Sequence, residues 1–306
     1  MCAAPAVFGM VTTQGSHAYT GPALESFFRA TPLSPEDSLL LIDNDNSWPS
    51  SLLPSQVELV RNASPAGFAQ NMNLVLRTAA QRQVDAYLLN NDVIFAPGWR
   101  SALEAAGDRI AVPLSNREVQ YAVSVINLKT NAALAALGCG MPSTLADYQA
   151  FPEGFAAIAA AHARAAQGFW PVYVAPYYCV RIPRRAIEQI GLLDEAFGRG
   201  GGEDYDYSLR ALLAGISTCF VLGAYLLHFG GKSSWDGAET TEEQAAREAQ
   251  FFAHFRAKWG EPLFQYICRE NSTLATQIFP DLKSREESGA LADIVRALMP
   301  PGSKQG

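Results

Sequence analysis

The first hundred residues alternate short apolar runs with segments of helical periodicity. Apolar runs predict buried strands at residues 6–13, 38–45, 57–62 and 85–92. Between these runs, apolar residues recur at helical spacing over residues 22–30 and 66–83, which predicts two helices. This alternation is typical of an α/β fold, in which helices cover both faces of a mostly parallel sheet.

The second half of the chain is less regular. The alternation loosens around residues 121–128, and the later pattern predicts helices at 151–168, 183–191 and 240–260 and strands at 172–180, 217–222 and 224–229. One weakly amphipathic segment, residues 289–299, follows near the end. We see no internal repeat and no low-complexity linker, so the pattern indicates one domain with a helical C-terminal appendix.

Polar side chains end two of the predicted strands. Asp43 ends the second strand, and Asn90, Asn91 and Asp92 end the fourth. In open α/β sheets, ligands bind beyond the carboxyl ends of the strands. The sequence therefore predicts a polar pocket at this edge of the sheet.

Composition and charge narrow the class of protein. Apolar residues make up 49% of the 306 residues and charged residues only 17%, against roughly 25% charged in an average soluble protein. This balance favours a compact globule. The net charge of -7 argues against a nucleic-acid-binding protein, which needs a basic surface to meet phosphates.

The cysteines and the apolar stretches indicate in which cellular compartment the protein resides. The five cysteines are scattered singly, and an odd number without a Cys-x-x-Cys pair argues against a disulfide framework. The first residues lack the basic region and long apolar run of a signal peptide, and no uncharged apolar stretch reaches about 18 residues. We therefore expect a cytoplasmic protein with no membrane span.

Several familiar motifs fail on inspection. The Gly-Gly-Lys-Ser-Ser of residues 230–234 is not a P-loop, because Leu226 stands where the motif needs its first glycine. Glu203 occupies the position of the third glycine of a dinucleotide fingerprint. Three histidines have no second ligand at a zinc-like spacing, so packing is the favoured role for His17, His162 and His254.

Four features carry chemistry, and each has an ordinary structural alternative. Asn90 and Asp92 supply the oxygen ligands that Mg²⁺ prefers, or they form a turn after a strand. Asp43 could accept hydrogen bonds from a base or ribose. His228, which closes an apolar run, could be a core histidine. The glycines of residues 198–202 lead directly into three acids that alone would form a solvated turn, Glu203, Asp204 and Asp206.

Taken together and in order, these segments resemble family-two glycosyltransferases with the A-type fold, in particular non-processive bacterial members such as rhamnosyltransferases. The similarity runs from residue 5 to about 260 and is densest over residues 187–234, IEQIGLLDEAFGRGGGEDYDYSLRALLAG and AYLLHFGGKSS included. The later FRAKWG is similar to the Lys-Trp that ends the core in many members. The resemblance implies an A-type domain over 1–260, with a nucleotide-sugar half (1–115) and an acceptor half (116–235), and a helical extension over 261–306.

The same resemblance implies roles for individual residues. Asp204 would take the proton from the attacking hydroxyl, with Glu203 holding or tuning the acceptor. Asp92 and His228 would hold a divalent cation, Mn²⁺ or Mg²⁺. Asn90 stands where many relatives have the first Asp of Asp-x-Asp, which is a departure from the pattern. The predicted nucleotide-sugar contacts are Thr12, Asp43, Asn71, Asn90, Asp92 and Lys232.

The implied reaction moves one sugar from a nucleotide-diphosphate sugar to a hydroxyl on a glycan, a lipid-linked glycan or a protein. A single base without a covalent nucleophile implies inversion at the anomeric carbon. Asp206, inside the following helix, is expected to support the site rather than to react. The chain lacks the Gln/Arg-x-x-Arg-Trp motif of the family's processive polymer-makers, so we expect transfer of single sugars.

Two other functions stay open at this point. A sugar nucleotidyltransferase needs a glycine-rich loop with Arg or Lys after the first strand, and residues 12–22 contain neither. A non-catalytic sugar- or partner-binding protein on the same scaffold would be marked by loss of Asp92 or Asp204. Both acids are present, so the sequence favours the transferase.

Overall fold

The computed structural model describes residues 4–49, 53–54, 56–116, 144–165, 167–231, 239–270 and 290–300. The strands are β1 Ala6–Thr12, β2 Ser38–Asp43, β3 Val57–Arg61, β4 Asp85–Leu89, β5 Val93–Ile94, β6 Ile110–Ser115, β7 Phe169–Val172, β8 Cys179–Ile182 and β9 Thr218–His228. The helices are α1 His17–Ala30, α2 Phe68–Arg82, α3 Trp99–Glu104, α4 Leu145–Ala150, α5 Pro152–Ala165, α6 Arg184–Ile190, α7 Glu203–Leu213, α8 Thr241–Trp259, α9 Glu261–Phe264 and α10 Ala290–Leu298.

The strands of these residues form one sheet in the order β3-β2-β1-β4-β8-β6-β9-β5, and β7 pairs with β9. Strands β1 to β4, β6 and β9 run in one direction, whereas β5, β7 and β8 run in the other. Thr12 pairs with Asp43, and Met10 pairs with Leu89. The carboxyl ends of β1, β2 and β4 therefore meet at one edge of a mostly parallel sheet, as the α/β pattern predicts.

Helices cover both faces of this sheet, and β1 shows why. Successive side chains of a strand point to opposite faces. Phe8 packs against Phe27 of α1 and Trp99 of α3. On the other face, a Cβ on Gly9 would lie only 2.1 Å from Val75 Cγ2 of α2. The glycine thus lets α2 pack closely on the strand, and the predicted arrangement of helix, sheet and helix is confirmed.

The second half of the sheet differs from the sequence pattern. The strand predicted over residues 172–180 is two short strands, β7 and β8, joined by a turn. The two strands predicted at 217–222 and 224–229 are the single strand β9, whose register with β6 shifts after Pro113. Strand β6 is fully buried but was not predicted, because Pro113 interrupts its pattern and proline is rare in central strands.

The C-terminal helices pack behind α7. A second apolar cluster joins Leu209 of α7 to Phe255 and Trp259 of α8, Phe264 of α9 and Val295 of α10. The described helices of this C-terminal region, α9 and α10, thus belong to the same apolar cluster as the helix that begins at Glu203, and the predicted division into a domain and a C-terminal extension stays a prediction. Within the described residues, no helix combines the length and the apolar character needed to cross a membrane.

Candidate functional site

A cavity of about 330 Å³ opens where β1 and β4 end. Residues of the segment that leads into α7 also line it. Five predicted site residues line it, namely Asn71, Asn90, Glu203, Asp204 and His228. The predicted polar pocket at the strand ends is therefore present, and it extends to the acids at the start of α7.

The glycine loop of residues 198–202 has a backbone that other residues rarely adopt. Gly200, Gly201 and Gly202 have φ angles of 147°, 110° and 95°, in the left-handed region that glycine tolerates without steric penalty. A Cβ on Gly202 would also lie 2.2 Å from Phe251 Cδ2 of α8. The loop thus packs closely against α8, and the next two residues, Glu203 and Asp204, line the cavity.

Those two residues, Glu203 and Asp204, form the first turn of α7. Glu203 is buried, and its Oε2 accepts a hydrogen bond from the Gly201 N–H at 2.6 Å. Asp204 is half-buried, and its Oδ1 accepts from the Tyr205 N–H at 2.8 Å. Burial raises the pKa of both carboxyls, and the charge of Asp204 raises that of Glu203 further. Raised pKa values make these carboxylates stronger proton acceptors than ordinary acids.

Asp206 has a different environment from its two neighbours. It is fully buried, and its carboxylate accepts hydrogen bonds from Arg210 Nε at 2.8 Å and Trp259 Nε1 at 3.0 Å. Lys258 Nζ lies 2.7 Å from the same carboxylate. Asp206 therefore ties α7 to α8, and the Lys-Trp pair noted in the sequence supplies two of its partners.

Asp92 and His228 come together from different strands. Asp92 follows β4, His228 ends β9, and Asp92 Oδ1 lies 3.5 Å from His228 Nε2. Strand pairing explains the approach, since Val93 of β5 stands opposite His228. Neither ring nitrogen of His228 has a hydrogen-bond partner among the residues described. A carboxylate oxygen beside an uncommitted imidazole suits a divalent cation.

The pair would need further ligands to complete a cation site. Across the described ranges, no group of three or more His, Cys, Asp or Glu side chains converges. Mg²⁺ sites commonly use one or two carboxylates and take the remaining oxygens from water and substrate phosphates. Asp92 and His228 could supply two of the ligands of such a site, but Asp92 is not among the residues that line the cavity, and the predicted cation site stays a prediction.

Asp43 lies at the end of β2 but is fully buried. Its carboxylate accepts from the backbone N–H groups of Ser47 at 3.0 Å and Trp48 at 2.9 Å, and from Arg61 Nη1 at 2.6 Å. These contacts fold the loop after β2. The predicted contact of Asp43 with a nucleotide base stays a prediction.

The remaining predicted contacts are spread over the same edge. Thr12 is buried, and its hydroxyl shares a 2.8 Å hydrogen bond with that of Thr20 in α1. Asn71 lines the cavity and donates to Asn44 Oδ1 at 3.1 Å. Asn90 lines it too, but Lys232 lies outside the described residues.

Further side chains on the cavity wall were not predicted from the sequence, among them Tyr177, Tyr178, Arg199 and Arg247. Arg247 of α8 donates from two nitrogens to the Glu239 carboxylate, at 2.8 and 2.9 Å, and from Nη1 to the Gly200 carbonyl at 3.3 Å. Arg199 lies within the glycine loop, whereas no local motif marks Tyr177, Tyr178 and Arg247, because distant segments bring them to the cavity.

Comparison with known proteins identifies the fold. No protein-family model matches the chain, and no curated protein does. The chain is similar in structure to GalNAc-T7, crystallised with UDP, GalNAc and Mn²⁺, with a TM-score of 0.51 and 14% identity. The superposition covers 92% of this chain and 54% of that one, so this chain spans about half the length of GalNAc-T7. The fold is the A-type glycosyltransferase fold.

A second structure resembles the chain less closely. The mannosyltransferase PcManGT from Pyrobaculum calidifontis, in complex with GDP-Man and Mn²⁺, has a TM-score of 0.49 and 10% identity. The superposition covers 94% of this chain and 86% of PcManGT. The A-type fold of our chain therefore rests on its own sheet topology and on the likeness to GalNAc-T7.

Proposed function

We propose that this protein is a metal-dependent inverting glycosyltransferase that moves one sugar from a nucleotide-diphosphate sugar to an acceptor hydroxyl. The observation that carries the proposal is a single cavity whose wall holds Asp204 together with Asn90 and His228. The A-type fold and the Mn²⁺- and nucleotide-bound state of GalNAc-T7 support the metal and nucleotide-sugar parts of the proposal. One cavity therefore brings the proposed base and residues of the proposed donor site together.

Asp204 is the base in this proposal. The acceptor O–H gives its proton to the Asp204 carboxylate while the hydroxyl oxygen bonds to the anomeric carbon. The bond from that carbon to the diphosphate oxygen breaks, and the nucleoside diphosphate leaves with the electron pair. The buried Glu203 beside it orients the acceptor.

The acids on the described part of the cavity wall support the inverting part of the proposal. Glu239 also lines the cavity, but Arg247 engages both of its oxygens. Asp204 and Glu203 project together from one helix end, so we assign them to the acceptor side. We assign a base and no covalent nucleophile among the described residues, so in this proposal the hydroxyl attacks from the face opposite the diphosphate.

Asp92 and His228 would hold the cation, Mn²⁺ or Mg²⁺. When bound, it supplies positive charge that stabilises the departing diphosphate. Asn71 and Asn90 contact the nucleotide-sugar from the cavity wall. Thr12, Asp43 and Lys232 complete the predicted donor contacts, and the acceptor carries its hydroxyl on a glycan, a lipid-linked glycan or a protein.

Isothermal titration with a panel of UDP-, GDP- and dTDP-sugars, with Mn²⁺ and with EDTA, tests the proposal. We expect one class of donor to bind with Mn²⁺ and to lose affinity in EDTA. Asp92→Asn should lose the same Mn²⁺-dependent affinity, whereas Asp108→Asn, an exposed acid far from the cavity, should not. Failure of every donor to bind would overturn the proposal, and retained anomeric configuration in the transfer product would overturn inversion.

A further inference from the structure

Tyr178, in the turn before β8, is held from three directions. Its ring stacks on the ring of His228, with centroids 4.6 Å apart and planes at 13°. Its hydroxyl donates to the Pro113 carbonyl of β6. Its own carbonyl accepts from the Asn90 N–H at 2.7 Å. A side chain that is 2% exposed and fixed in this way forms a rigid flat surface.

His228 depends on that surface for its orientation. A histidine that binds a metal is usually oriented by a hydrogen bond to its other ring nitrogen. Neither nitrogen of His228 has such a partner in the part of the chain that the structure describes. The stacked Tyr178 ring limits rotation of the imidazole and keeps Nε2 beside Asp92 Oδ1, at 3.5 Å.

Tyr177, the residue before Tyr178 in the same turn, lies near the proposed base, Asp204. The backbone N–H of Tyr177 faces the Asp204 carboxylate and offsets part of the rise in its pKa. The Tyr177 hydroxyl also shares a 3.1 Å hydrogen bond with Ser208 of α7. Two consecutive residues therefore contact the proposed base and the proposed metal ligand.

From this arrangement we propose that Tyr178 is a positioning residue for the cation site, because its ring fixes the imidazole of His228 in the orientation that binds metal. The inference rests on the proposed function, which makes His228 a metal ligand. It predicts that the flat ring of Tyr178 determines Mn²⁺ affinity and that its hydroxyl does not.

The test measures Mn²⁺ binding by the EPR signal of free Mn²⁺, in the presence of UDP and, in parallel, of GDP. Tyr178→Leu should weaken Mn²⁺ binding by about 10-fold, at the lower end of the effect of removing an outer-shell partner. Tyr178→Phe should keep the wild-type affinity, because the ring remains. If Tyr178→Leu does not fold, Tyr178→Met removes the flat ring while filling similar space.

The chain offers a matched control. Tyr225 makes a ring contact with His162, also at 4.6 Å between centroids, in the core. Its position, three residues before His228 in β9, places its side chain on the opposite face of the strand. Tyr225→Leu should lower thermal stability measured without metal, yet leave Mn²⁺ affinity unchanged.

Equal Mn²⁺ affinity in wild type and Tyr178→Leu would overturn the inference while leaving the proposed function intact. Equal weakening in Tyr178→Leu and Tyr178→Phe would overturn it as well, since the hydroxyl contact would then be responsible. A folded wild-type protein that binds no Mn²⁺ with either nucleotide would overturn the proposed function together with this inference.

Discussion

Two carboxylates at one edge of the sheet, Asp43 and Asp204, have contrasting surroundings. Asp43 is fully buried and is compensated by two backbone N–H groups and by Arg61. Asp204 lines the cavity and has another acid, Glu203, beside it in the helix. The Asp43 carboxylate stabilises the loop after β2, whereas the Asp204 carboxyl has a raised pKa.

The contrast distinguishes a structural acid, Asp43, from a candidate for chemistry, Asp204. Strongly perturbed carboxyl groups in a cleft are candidates for chemistry, because the fold holds them in an environment that disfavours their charge. Such groups usually lower stability in exchange for activity. The region around Asp43 should therefore respond to mutation through stability, and the region around Asp204 through rate.

The largest expected effect is on the rate of transfer by Asp204→Asn. The amide keeps the shape of the side chain but cannot accept a proton, so we expect a loss of ~10²- to 10⁴-fold with donor binding retained. Single-turnover transfer with saturating donor and Mn²⁺ measures it. Glu203→Gln should fall between this variant and Asp206→Asn and should act mainly on acceptor affinity. Transfer by Asp204→Asn at the wild-type rate would place the base elsewhere.

Asp43→Ala should instead lower the free energy of unfolding, by about 2–3 kcal/mol. Removing one partner of a buried ion pair typically costs about 3–5 kcal/mol, and the partner here, Arg61, is 35% exposed and can recover solvent. Urea denaturation measures the change, with the more exposed Asp45→Ala as a control of smaller effect. Unchanged stability together with a raised donor Michaelis constant would instead support the predicted base contact of Asp43.

The pH dependence of the transfer rate gives a second test of the difference between Asp204 and Asp43. Burial raises the pKa of Asp204 to about 6 from its ordinary value of 3.8, and a bound cation would lower it again. The protonated acid cannot act as base, so the rate should fall as pH drops, with a midpoint between these two values. The acidic limb should vanish in Asp204→Asn. If the pH–rate profile of Asp204→Asn keeps an acidic limb with the same midpoint, a group other than Asp204 causes it.

The smallest expected effect is on the stability of Asp204→Asn, and its sign is opposite to that of Asp43→Ala. An acid whose pKa is raised by folding destabilises the folded state at every pH above that pKa, and this penalty disappears below the unfolded pKa. Removing the charge should therefore stabilise the protein at pH 8, by an amount on the order of 1 kcal/mol. Thermal unfolding at pH 8 and at pH 4 checks this, since the gain should shrink at pH 4. A loss of stability at pH 8 would mean that Asp204 is a structural acid like Asp43.

Local sequence patterns predicted much of the fold. Apolar runs over residues 6–13 and 85–92 and the helical periodicity of 66–83 correspond to β1, β4 and α2. The pattern was less informative for β9, because its length depends on pairing with β6, β7 and β5 rather than on its own residues.

Sequence by itself determined the α/β class, the polar strand ends and the glycine-led acids, because each depends on residue type and spacing within a short segment, whereas the A-type assignment came from the resemblance to a known family. Only the tertiary structure decided which acids have partners. Asp43 meets Arg61, and Asp206 meets Lys258, across turns and helices that no local pattern encodes. The stacking of Tyr178 on His228 has the same origin, since the two residues are 50 positions apart and approach only through the folded sheet.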